Sequence, residues 1–222
     1  MRVLAIDTST MISTVTICED SKIIGDFNVN QEKTHSESLV PMIEYLLKLL
    51  GLKLSDIDIF AISKGPGSFT GLRIGMTIAK TFAQVNEKKL IPVSTLKALA
   101  LNSSSNTYKA AMLDARGKRV YASLYDEKMN EIIKEDLYNI DDFAKLCNEK
   151  DINFDLISEV SEKYEDKFAR ARILEFSYRS CIGKNLCKLA LDMKDQNYDL
   201  YELVPNYMRK SQAERDREKK DD

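Results

Sequence analysis

Twice in this chain an apolar run stops at an aspartate, turns, and returns as a strand-like segment. The first instance goes from Leu4 through Asp7 to Ile17, and the second from Ala110 through Asp114 to Tyr125. A recurrence on that scale predicts two similar subdomains rather than one continuous fold. Around the first instance the chain reads as three strands joined by short turns. These are Val3 to Ile6, Thr14 to Ile17, and Lys22 to Val29 after the turn Glu19-Asp20-Ser21, an antiparallel meander. A helix from Ser36 to Leu50 follows, stopped by Gly51. Then come a strand from Ile57 to Ser63, a glycine-rich loop, a helix from Leu72 to Val85 and a strand from Leu90 to Val93.

The resulting order, β-β-β-α-β-α-β, is that of ribonuclease-H-like domains in the actin-like ATPase superfamily, an analogy at the level of fold. The fold class expected is therefore α/β with two such subdomains. The second half predicts a strand from Glu131 to Leu137, a helix from Asp142 to Asn148, a strand from Phe154 to Ser158 and a helix from Cys181 to Met193. The polar stretch from Asn102 to Asn106 marks the boundary. This divides the chain into an N-terminal subdomain, 1–101, and a smaller C-terminal one, 107–208. In the tail, 209–222, 11 of 14 residues are charged, which predicts disorder.

Composition removes several function classes. With 222 residues and 44% hydrophobic content there is enough material for a sizeable core. A net charge of −2 supplies no basic field for direct nucleic-acid binding. No apolar stretch approaches the roughly 20 residues of a membrane span, and the start turns acidic too soon for a signal peptide. Four cysteines, Cys18, Cys147, Cys181 and Cys187, form no Cys-x-x-Cys pair, which argues against a zinc ribbon or a disulfide framework. A reducing cytoplasm is the expected compartment. His35 is the single histidine, so a His-dependent triad or multi-histidine metal site lacks residues.

The loop Gly65-Pro66-Gly67-Ser68-Phe69-Thr70-Gly71-Leu72-Arg73-Ile74-Gly75 lies between a strand and a helix, where backbone amides can cradle an anion. It can equally be a tight turn in which Thr70 or Ser68 caps the next helix. No lysine follows Gly71, so it is not a P-loop, and its spacing is not Gly-x-Gly-x-x-Gly. Arg73 could hold an anion or simply be solvated. An actin-like ATPase also needs glycine just after the first-strand aspartate. Here Thr8-Ser9-Thr10 follows Asp7, no glycine appears until Gly25, and Gly117 and Gly183 stand isolated. Independent ATP hydrolysis is not expected, and no catalytic residue is assigned. Asp7 and Asp114 could be a relic of a paired-carboxylate magnesium site or plain strand-end caps. A helical metal pair built on His35 would need a ligand at position 39, which is leucine; no metal is expected.

Both early helices carry more apolar surface than one core face requires. The apolar residues from Leu39 to Leu50, and those from Leu72 to Val85, each cover about 180° of the wheel, against about 100° for a single stripe. The excess predicts a helical partner surface at Leu39, Ile43, Leu46, Leu47, Leu50, Leu72, Gly75, Met76, Ala79, Phe82 and Ala83. Arg at position 79 or Glu at position 46 is expected to abolish pairing and leave the monomer folded.

Several motifs together resemble the bacterial TsaB family, the YeaZ-like proteins. They are Ile6-Asp7-Thr8-Ser9, His35-Ser36-Glu37 with Leu39-Val40-Pro41, the 65–75 run, Asp114-Ala115-Arg116 with Val120-Tyr121, and Pro205-Asn206-Tyr207-Met208-Arg209. The resemblance covers residues 3 to about 209, and the 65–75 run is its most specific part. It implies a non-catalytic partner of TsaD in making N6-threonylcarbamoyladenosine at position 37 of tRNAs reading codons that begin with A. It also implies pairing with TsaD through the first two helices, association with the ATPase TsaE, and homodimerisation when alone. Contact with tRNA would be indirect, and no cofactor would be the chain's own; ATP or ADP would enter with TsaD and TsaE. The competing readings are a stand-alone nucleotide hydrolase or phosphotransferase using Asp7, Asp114 and the 65–71 loop, and a metallopeptidase built on His35 and Glu37.

Overall fold

The computed structural model describes residues 1–30 and 35–208. The charged tail assigned to 209–222 lies outside the described residues. In chain order the first half contains β1 (Arg2–Asp7), β2 (Ile12–Glu19), β3 (Lys22–Asn30), α1 (His35–Leu50), β4 (Ile59–Gly65), α2 (Phe69–Val85), β5 (Lys89–Ser94) and α3 (Thr95–Ala100). The second contains β6 (Tyr108–Asp114), β7 (Arg119–Tyr125), β8 (Glu131–Asn139), α4 (Ile140–Asn148), β9 (Phe154–Ile157), β10 (Ala171–Ile173) and α5 (Gly183–Asp192).

The repeat is real at the level of topology. The first sheet has the order β3-β2-β1-β4-β5 and the second β10-β9-β6-β7-β8, so β6 takes the central place of β1 in a matching order. In each, the three meander strands pair antiparallel, and the two later strands add in parallel on the other side. These are two ribonuclease-H-like subdomains, as the element order predicts.

Alternation along the central strands explains their unbroken apolar sequence. Leu4 and Ile6 point into a core shared with α1 and α2, and Val3 and Ala5 into a second core on the opposite face. A strand covered on both faces has no polar side to show. That second core spans the molecule: Val3, Ala5 and Cys18 meet Ala111, Tyr121 and Ile157 of the other sheet through α3 and α5. A third core lies between the second sheet and α4. Helix α5 follows the second sheet in sequence but packs across β1 and β2 of the first.

Polar contacts reinforce the shared core. The Ser94 hydroxyl, at the end of β5, donates to Glu135 on β8, which also accepts from the Tyr125 hydroxyl at 2.5 Å. Asn185 on α5 donates to the Ala98 carbonyl and to Asn102 Oδ1, at 2.8 and 2.7 Å. The connecting segment is tied to the second sheet where Ser103 and Ser105 donate to buried Asp155, itself clamped by Arg172 at 2.7 and 2.9 Å.

Candidate functional site

The glycine-rich run closes on the loop that follows β1. Ser68 is the N-cap of α2 and accepts from the Gly71 amide at 3.3 Å. The helix therefore starts at Phe69, three residues earlier than the apolar pattern alone indicates, because Thr70 and Gly71 belong to its first turn. The Ser68 amide donates to the Ser9 carbonyl at 2.7 Å, and the Thr8 hydroxyl donates to the Gly71 carbonyl at 2.7 Å. Gly67, Gly71 and Gly75 recur every fourth residue along the side that meets this loop. A Cβ at these positions would sit 2.4 Å from the Ser9 carbonyl, 2.0 Å from the Thr8 carbonyl and 2.3 Å from the Thr8 hydroxyl. Only glycine permits that approach. The amides of Ser68 and Gly71 are thus occupied by the chain's own oxygens.

Asp7 ends β1 beside this seal. It is buried and accepts from the Ser9 amide at 2.9 Å and from the Ser63 hydroxyl. Burial pushes its carboxyl above the usual range, against the hydrogen bonds from Ser63 and Ser9. Asp114 is exposed and accepts from the Arg116 amide at 2.9 Å, closing a turn after β6. It is a strand-end cap. A carboxylate of the second subdomain that feels Asp7 is Glu159, surface-exposed yet raised first by partial desolvation and then by the charge of Asp7. Sequence reasoning missed Glu159; taking β9 as the counterpart of β4 would have pointed to the residues just beyond its end.

His35 opens α1 and is tied inward by both ring nitrogens. Nε2 lies 2.9 Å from the Thr10 carbonyl, which can only accept, so Nε2 carries the proton. Nδ1 then accepts from the Ser13 hydroxyl at 2.7 Å. Leu39 is fully buried in the core. Arg73, the anion candidate, instead lies over the Phe69 ring at 4.9 Å, and Phe69 stacks on Tyr207 at 4.5 Å. Tyr207 belongs to a terminal strap laid along α2. The Asn206 amide donates to the Lys64 carbonyl at 2.7 Å, Lys80 Nζ to the Leu203 carbonyl at 3.1 Å, and Gln84 to the Tyr201 hydroxyl at 3.3 Å. Gly65 has φ +110°, and a Cβ there would come 2.8 Å from the Asn206 carbonyl.

The partner-surface residues require a correction. Leu39, Ile43, Leu46 and Leu47 of α1, and Leu72, Gly75, Met76, Ala79 and Ala83 of α2, are buried against the first sheet. Leu50 and Phe82 are half-buried. A single stripe cannot face the sheet and a partner at once, and Arg at 79 or Glu at 46 would break the core rather than a pairing. The breadth of the apolar arcs was nonetheless informative. Their outer edges leave Val40, Leu49 and Val85 exposed, the last two by 68% and 77%, together with Tyr45. Helices α1 and α2 pack side by side, so these residues belong to one outward helical layer.

Two matched sheets around a shared core, with helices on the outer faces, define an actin-like α/β protein. The sequence model of the family described as "TsaD: tRNA N6-adenosine threonylcarbamoyltransferase" matches residues 22–215, and the chain belongs to that family. Within it the chain is TsaB/YeaZ-like. It is 28% identical to the tRNA threonylcarbamoyladenosine biosynthesis protein TsaB of Bacillus subtilis, over 96% of each chain. The solved structure of an uncharacterized Pseudomonas aeruginosa protein with similarity to peptidase YEAZ superposes with TM-score 0.80 at 24% identity, covering 94% of this chain and 99% of that one. The ROK hexokinase of Thermus thermophilus shares the fold more distantly, at TM-score 0.52 and 9% identity over 86% of this chain and 100% of that one.

Proposed function

We propose that this chain takes part in tRNA threonylcarbamoyladenosine biosynthesis as a non-catalytic partner of TsaD. In this reading it supports transfer of the threonylcarbamoyl group to adenosine 37 of tRNAs reading codons that begin with A, and it acts in the cytoplasm. The observation that carries the reading is the sealed junction of 8–10 with 65–75. The glycine-rich backbone that could have cradled an anion is here bonded to the chain's own oxygens. The engagement of both His35 nitrogens by Ser13 and Thr10 supports it too, since the ring offers no lone pair to a metal.

The partner surface in this reading is the outward layer of α1 and α2, with Val40, Tyr45, Leu49 and Val85, and two copies of the chain pair through it when alone. TsaE joins the assembled pair, nucleotide belongs to that assembly, and tRNA is contacted only indirectly. The test is ATP turnover by the purified chain, alongside co-purification with TsaD and with TsaE, with and without ATP. Turnover that disappears on Asp7→Ala would favour the hydrolase instead. Failure to co-purify with TsaD under any nucleotide condition would remove the scaffold role.

A further inference from the structure

Helix α5 is laid on β2 in a register that brings two cysteines together. Gly183, its first residue, touches Thr14 and Thr16 so closely that a Cβ would come 1.8 Å from Thr16 Oγ1 and 2.7 Å from Thr14 Cγ2. One turn of helix advances about 6 Å over four residues, and two residues of strand advance about 6.8 Å. Stepping once along each element from this contact leads from Gly183 to Cys187 and from Thr16 to Cys18. Cys187 Sγ accordingly lies 3.9 Å from the Thr16 carbonyl. Both side chains are about 1% exposed in the core shared by the two subdomains, and the two thiols are close enough to shift each other's ionisation. The other cysteines are placed differently: Cys147 is buried in the third core, and Cys181 is half-buried ahead of α5.

We propose that Cys18 and Cys187 are an oxidation site, closing to an intramolecular disulfide that staples α5 to β2 when a peroxide is the oxidant. The Cys18 thiolate attacks one oxygen of hydrogen peroxide, breaking the O–O bond to give a sulfenic acid and hydroxide. The Cys187 sulfur then attacks the Cys18 sulfur and expels hydroxide, while the two protons lost by the thiols convert both hydroxides to water. Two thiols and one peroxide thus give one disulfide and two waters. Cys187 beside it holds the Cys18 thiol below its ordinary value, while Cys187 itself is pushed up, so Cys18 is the sulfur that ionises first. Peroxide enters when α5 lifts locally. The helix starts on Ile182 with no side-chain cap, just after Cys181 at φ +56°, and that opening must release the Asn185 bonds to Ala98 and Asn102. This inference is independent of the functional reading above.

The test treats the reduced, full-length chain with hydrogen peroxide under native conditions, blocks free thiols with an alkylating reagent and digests without reduction. Trypsin cuts after Lys184 and so separates Cys181 from Cys187. The expected result is a peptide pair joining Cys18 to Cys187, two hydrogens lighter than the sum and released by dithiothreitol. It should persist in C181S and vanish in C18S or C187S, each checked for folding by circular dichroism. The oxidised chain should also melt at a higher temperature than the reduced one. The proposal is overturned if Cys18 and Cys187 both alkylate after denaturation while Cys181 is oxidised, or if the cross-link forms only in denaturant. Because the decisive measurement is on the unmodified chain, a variant that fails to fold does not blunt it.

Discussion

At the scale of single residues, the glycines show what a sequence can and cannot disclose. The 65–75 run was legible as a turn, and Ser68 as one of two candidate caps. The reason for Gly67, Gly71 and Gly75 was not, because it lies in Thr8 and Ser9, far away in sequence. Gly71→Ala places a methyl group against a backbone carbonyl that has nowhere to move, and is expected to cost at least about 2 kcal/mol. Urea denaturation measures it, and an unchanged midpoint would mean that the 8–10 loop yields. Asp7 makes a second case. Burial raises its pKa in the folded chain above the unfolded value, so the native state holds the proton more tightly. Stability should therefore fall as pH climbs from the ordinary carboxylate range through the raised native value, and stay lower above it. Asp7→Asn keeps an acceptor for Ser9 and Ser63 and removes that loss. Its urea midpoint should exceed the wild-type value at neutral pH and converge with it in acid. A lower midpoint at neutral pH would show that the charge itself is needed.

Among the elements, length and periodicity decided what could be read. The three-strand meander, α1, β4 and β5 were visible because each presents an apolar run bounded by turn residues. Helix α3 was not, being six residues long, and β10 has only three; both are defined by what they pack against. The helical surface was half legible. The wheel showed how much apolar area α1 and α2 carry, and only the sheet decides which half of it faces inward. Val85→Glu changes a residue that is 77% exposed and should shift stability by no more than about 0.5 kcal/mol, while abolishing co-purification with TsaD. Ala79→Arg forces a charge into a fully buried position and should prevent folding altogether. Paired co-purification and thermal melts separate these outcomes. Retention of TsaD by Val85→Glu would move the partner surface elsewhere.

For the molecule as a whole, the repeat was legible through its recurring aspartate. The degree to which the halves are fused was not, since nothing local marks α5 as belonging to the first sheet. One core containing residues of both sheets, with the Ser94–Glu135–Tyr125 and Asn185–Asn102 contacts across it, predicts a single cooperative unfolding transition. Far-ultraviolet circular dichroism and tyrosine fluorescence should give coincident urea curves, and two separated transitions would contradict the shared core. The placement of α5 also has a temporal consequence. A chain leaving the ribosome from its N-terminus presents β1 and β2 early, yet the helix that covers one face of them is made only at residues 183–192. Until then that face waits uncovered. The strap at Asn206 comes later still, so the glycine loop at 65 is closed by residues made long after it. Early termination near residue 180 would therefore leave β1 and β2 unfinished, and nascent chains of that length should be cut by protease within them.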